Sequence, residues 1–172
     1  MVIWFHLAVT LHRWPLVPMT LFLAFLIGFL TGLRSFTPAA ATAWGANLGW
    51  LKLQGWLADI GTTLGVAILT GLALAELAAD KSPKMKNRTG AQGLSARILM
   101  GGLTGTCIAS AGGESLVLGA ILGSFGGIAG CFGGYHARKR LVQASGKPDY
   151  FIALLEDLIC IGGSVWVVTR FT

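Results

Sequence analysis

Charge is what this sequence has least of. Asp, Glu, Lys and Arg together make up 12% of the 172 residues, about half of the ~25% found in soluble domains. That shortage excludes an ordinary soluble domain and a disordered chain, and with 54% of residues apolar besides the 25 glycines a collagen is excluded too. Cysteine and histidine number 3 each. Cys107, Cys131 and Cys160 fall in separate apolar segments without the close Cys/His spacing of a zinc or redox site, so they read as small packing residues. His6, His12 and His136 lie at the edges of apolar stretches and no Ser/His/Asp or Cys/His set is evident. An enzyme is therefore the weakest of the functional classes, no cofactor is expected, and a metal site would need carboxylates alone.

What is present is apolar sequence in long runs. A helix needs ~20 mostly apolar residues to cross ~30 Å of hydrocarbon, and five stretches come near it: about 19–44, broken at 34–38, then 57–80, 98–112, 115–135 and 151–169. The third is short, which implies local thinning of the bilayer or a start inside the preceding basic loop. The expected fold is an all-α membrane protein, a compact bundle of about five transmembrane helices with a glycine-zipper central helix and a proline-broken first span. Residues 1–18 read as an N-terminal arm or a start-site extension, and 19–172 as one transmembrane domain. A signal peptide is a rival for this end, with Leu21–Leu33 as its apolar core, but it lacks a basic start.

The net charge of +6 does not point to nucleic acid, because the basic residues are not interleaved with aromatics on one face. They form two clusters between apolar runs: Lys81, Lys84, Lys86, Arg88 and Arg97, then Arg138, Lys139, Arg140 and Lys147. Basic loops stay in the cytoplasm, so five spans put the N-terminus inside and the C-terminus outside. Trp44, Trp50 and Trp56 fit a segment lying in the outer interface.

Glycine is patterned along the fourth span. Gly119, Gly123 and Gly127 are spaced by four, as are Gly126, Gly130 and Gly134, which gives one helix two adjoining faces without side chains. Small-xxx-small faces let helices approach closely in lipid, so this helix is expected at the centre of the bundle. The spans carrying Gly28/Gly32 and Gly101/Gly105 are its expected neighbours. Tight packing is one reading of such faces, and helix sliding or a narrow pore is the other. Exposed glycine stripes also fit a homo-oligomer.

Ionisable residues inside a span cost ~2.5–3.5 kcal/mol at helix centre, which makes each a functional candidate. Glu76 and Asp80 are four apart on the second span, while Glu156 and Asp157 sit in the fifth. Glu76 and Glu156 come out at matching depths, ~6 and ~8 Å from the inner helix ends. An acidic cluster is expected there, with Lys81 and Arg97 as counter-ions. Such a cluster serves proton- or cation-coupled transport in one reading and a structural salt-bridge network in the other. Arg34, counted along a continuous first span, lies ~22 Å up from Met19, at the depth of Asp59, its expected partner. Ser35, Thr37 and Pro38 follow it, and a proline within a span frees a backbone carbonyl. Broken helices of this kind line cavities in transporters, where a guanidinium can hold a carboxylate or phosphate. A kinked helix with a paired Arg is the plainer alternative.

Three stretches resemble a known family. Gly32-Leu33-Arg34-Ser35-Phe36-Thr37-Pro38, Glu76 through Asp80-Lys81-Ser82-Pro83, and Leu154-Leu155-Glu156-Asp157 are similar, in this order, to motifs of the bacterial membrane proteins grouped as domain of unknown function 4126. The resemblance covers about residues 20–170. It implies a small integral protein of the bacterial inner membrane, marks Arg34, Glu76, Asp80, Lys81, Glu156 and Asp157, and brings no established reaction. The sequence favours a transporter or channel for a small ion or anionic solute, with a non-catalytic scaffold or accessory subunit as the alternative. A polar cavity between the second and fifth spans containing Glu76 and Glu156 is expected of a transporter. Dry carboxylates paired with Lys81 and Arg97 are expected of a scaffold.

Overall fold

A computed structural model describes residues 16–79, 91–145 and 149–172. The expected N-terminal arm, except its last three residues, lies outside this set, as do Asp80 and Lys81. Among the described residues there are helices and no strands: α1 Leu16–Leu33, α2 Thr37–Asn47, a 3-10 segment Gly55–Gly61, α3 Thr63–Ala79, α4 Ala91–Ala111, α5 Leu116–Ser145, α6 Asp149–Val168 and a final 3-10 turn Thr169–Phe171. Two stretches, Leu116–Ala144 and Tyr150–Phe171, are long and apolar enough to cross a membrane. A third candidate is the 3-10 segment taken together with α3, which meet at a bend of 63°.

Helices α1, α4 and α5 pack face to face around glycine. A side chain added at Gly28 would run into the backbone of Gly123, and one at Gly101 or Gly105 into the backbone of Gly123 or Gly119. On the neighbouring face of α5, Gly126 and Gly130 press on the backbone of Phe25 and Phe29, Gly32 lies against Gly127, and Gly134 meets Leu33. Backbones at this range gain dispersion contacts along their whole length, which is what holds helices together where lipid is the alternative neighbour. Polar side chains in the same core are satisfied locally. Thr31 Oγ1 donates to Ile27 O of its own helix and meets Thr104 Oγ1 of α4 at 3.3 Å.

The expected broken first span is corrected by the way α1 and α2 lie on α6. Going up α6, Asp157 meets Arg34, and Val168 lies against Gly45 of α2, so these two helices run in parallel. The Sγ of Cys160 donates to Leu30 O, and Gly163 packs on Leu30, so α1 runs antiparallel to α6. Helices α1 and α2 therefore run in opposite directions. The chain reverses at Arg34–Phe36 where the sequence suggested a kink. Pro38 sits in the first turn of α2, where a missing N–H leaves no hydrogen bond unmade. At 11 residues, α2 is ~16 Å long, far short of a crossing.

The reversal sorts the molecule into two ends. At one lie the α1–α2 turn, the end of α3, the starts of α4 and α6, and the last turns of α5 with Arg138, Lys139 and Arg140. At the other lie Leu16, Trp50, Trp56, Lys52, and Trp166 with Arg170 stacked 4.4 Å over its ring. Leu16 and Phe171 thus share an end, which corrects the expectation that the first span starts opposite the last residues.

Candidate functional site at the turn between α1 and α2

Reversing a helix exposes backbone groups. The N–H of Arg34 still reaches Leu30 O at 3.0 Å and closes α1. The next two donors, Ser35 N–H and Phe36 N–H, turn away and are accepted by Glu76 of α3, at 2.8 Å to Oε1 and 2.9 Å to Oε2. A carboxylate with both oxygens on the two amides just ahead of α2 sits by the positive end of its dipole and makes two charge-assisted bonds. Gly32 O, left without its usual donor, accepts from Nε of Arg97 on α4 at 2.8 Å, while the same guanidinium donates to Gly93 O at 3.0 Å. An anion thus closes the start of α2 and a cation the end of α1.

Arg34 itself is 1% exposed and pairs with Asp157, 7% exposed, at 2.5 Å. This corrects the expected pairing with Asp59, which lies exposed in the 3-10 segment at the opposite end. The error came from measuring depth along one continuous span. Beside this pair, Thr37 is buried and its Oγ1 finds no hydrogen-bond partner among the described residues.

Glu156 points elsewhere. Adjacent residues on a helix diverge by ~100°, so while Asp157 faces α1, Glu156 faces α5 and accepts from Arg138 at 3.2 Å. It lines a groove between α1, α5 and α6 whose walls are otherwise almost wholly apolar, and Glu76 is not among them. Glu76 and Glu156 therefore stand in separate arrangements, Glu76 on amides and Glu156 on Arg138, in place of the expected single acidic cluster. Arg97 donates to the carbonyls of Gly32 and Gly93, and its expected fellow counter-ion Lys81 lies outside the described residues.

Sequence reasoning gave Arg138 only a role in topology. The signal for more was the run from His136 to Ser145, which holds no Gly or Pro and so carries α5 two to three turns beyond its glycine faces. The Ser35 and Phe36 amides had no signal at all, because main-chain donors have no letter in a sequence. Among the described residues no group of three or more His, Cys, Asp or Glu could hold a metal ion.

The sequence profile of the domain of unknown function 4126 matches residues 21–170. The chain belongs to this family. No curated protein and no solved structure matches it. In this DUF4126 chain the three stretches that carry the likeness meet in space: Arg34 from the first, Glu76 from the second and Asp157 from the third all converge on the reversal between α1 and α2.

Proposed function

We propose that this protein is a small polytopic membrane transporter or channel, and that the α1–α2 turn is where it takes a small anionic solute. The basic end faces the cytoplasm, by the bias of Lys and Arg toward that side. The observation that carries the reading is the carboxylate of Glu76 seated on the Ser35 and Phe36 amides beside buried Arg34. A half-helix whose N-terminus is directed at a carboxylate is the arrangement by which broken helices hold anionic substrates. Here the occupant belongs to the protein. A solute carboxylate or similar oxyanion would exchange with Glu76, and the return of Glu76 would release it. Arg34, already balanced by Asp157, supplies positive potential without leaving an uncompensated buried charge.

The test is flux of formate, acetate, nitrate and chloride into liposomes holding the purified protein. Wild type is expected to move at least one of them. Glu76→Gln, assembled normally, is expected to bind that anion without turning it over, since the neutral side chain cannot compete it off. A folded wild type that moves none of the four, or a Glu76→Gln variant as fast as wild type, would overturn the proposal.

The scaffold reading is favoured by a different observation: the carbonyl of Gly32 exposed at the turn also meets a fixed partner, Arg97 of α4. On that reading Glu76→Gln lowers the yield of folded protein and changes nothing else.

A further inference from the structure

The groove beside Glu156 is absorbed neither by the turn nor by the transport reading. Its volume is about 300 Å³, the lower end of the ~300–1,000 Å³ range of small-molecule sites. Phe29 and Leu33 of α1, Gly133 and Ala137 of α5, and Leu155 and Ile159 of α6 form most of its wall. It opens outward, where lipid would lie, and its two charged side chains, Arg138 and Glu156, neutralise one another at 3.2 Å. From Gly133 to Leu141 it follows α5 for ~12 Å, close to the ~15 Å that is half of a ~30 Å hydrocarbon core. The groove is thus one leaflet deep. At its mouth Arg140 of α5 is exposed on the rim, seven residues and almost two full turns above Gly133, while Lys139 is exposed on the far side of the helix.

We infer that this groove holds one acyl chain of an acidic phospholipid, with the phosphate headgroup at Arg140. The walls supply only apolar contact, which selects a hydrocarbon chain, while the floor at Gly133 is open enough to receive it. A Cβ built there meets nothing nearer than the Phe29 ring at 3.7 Å. Headgroup choice comes from exposed Arg140, since basic pockets at the cytoplasmic face of helix bundles attract anionic lipid headgroups.

Native mass spectrometry of the protein in detergent with equal phosphatidylglycerol and phosphatidylcholine tests this. One phosphatidylglycerol is expected to stay bound, preferred by about tenfold or more. Gly133→Leu fills the groove and is expected to abolish retention, whereas Gly71→Leu on the open face of α3, where a Cβ meets nothing within 4 Å, leaves it intact. Should Gly133→Leu fail to fold, Ala137→Phe decides the same point one turn further along α5. Arg140→Gln is expected to keep a lipid but lose the preference. Retention by the folded groove-filling variants, or equal retention of the two lipids by wild type, would overturn the assignment.

Discussion

Glu76 holds the entry to α2 from another helix, on the N–H groups of Ser35 and of the N-cap residue Phe36. Capping side chains come from Ser, Thr, Asp or Asn at the helix start, but the N-cap of α2 is Phe36, which has no such group. The carboxylate arrives from α3 and takes two amides at once. Removing it leaves two donors without an acceptor, a loss of ~1–3 kcal/mol for each group that stays buried. Glu76→Ala is accordingly expected to lower the thermal midpoint of the purified protein, and millimolar formate or acetate is expected to restore much of it by sitting where the carboxylate sat. Chloride at equal ionic strength serves as the control. Restoration by chloride to the same degree would show general screening, not a carboxylate site. Asp157 and Arg34 follow a different logic, since a buried ion pair is close to neutral for stability while the loss of one partner costs ~3–5 kcal/mol.

At the scale of the helix, glycine decides which backbones touch. Gly123 meets both Gly28 of α1 and Gly101 of α4, so a side chain there pushes on two helices. Gly123→Leu is expected to cost more than the ~1–3 kcal/mol typical of overpacking, because the obstacle is main chain and cannot rotate aside. Gly71→Leu is expected to be neutral, and the comparison is read from the folded fraction on gel filtration. The helices and the spacing of α5's glycines were legible in the sequence, since apolar runs and four-residue intervals are local patterns. The reversal was not. Arg-Ser-Phe-Thr-Pro breaks a helix whichever way the chain then goes, and what fixes the direction is the seating of Glu76 and Arg97 on the groups the break exposes. Placing Arg34 beside Asp59 failed for the same reason, because a depth counted along the chain loses meaning once the chain turns back. The separation of Glu156 from Asp157 by helix geometry was readable, but which helix each faces was not.

Taken whole, the molecule has a basic end and a tryptophan end, with Leu16 and Phe171 both at the latter. On the membrane reading, cysteines introduced at Lys52 and at Lys139 label from opposite sides of a sealed vesicle with an impermeant maleimide, whereas those at Lys52 and Arg170 label from the same side. The three native cysteines are buried and are expected to stay silent. Labelling of Lys52 and Lys139 positions from one side would refute the arrangement of α2, α3 and α5 about a common core. The size of α5 fits this picture. Its 30 residues make a rod of ~45 Å, longer than the ~30 Å hydrocarbon core, so its basic last turns reach the headgroups.

The reversal also imposes an order in time. A ribosome releases the turn before anything that covers it: Glu76 follows Ser35 by 41 residues and Arg97 follows Gly32 by 65, while Asp157 arrives only with the last helix. At ~5–20 residues per second, the guanidinium of Arg34 waits on the order of ten seconds for its counter-charge. Until Glu76 and Arg97 emerge, the first hairpin carries bare amides and a bare carbonyl as well. It therefore reaches its final state only when the last helix docks, although it is nearly the first to be made.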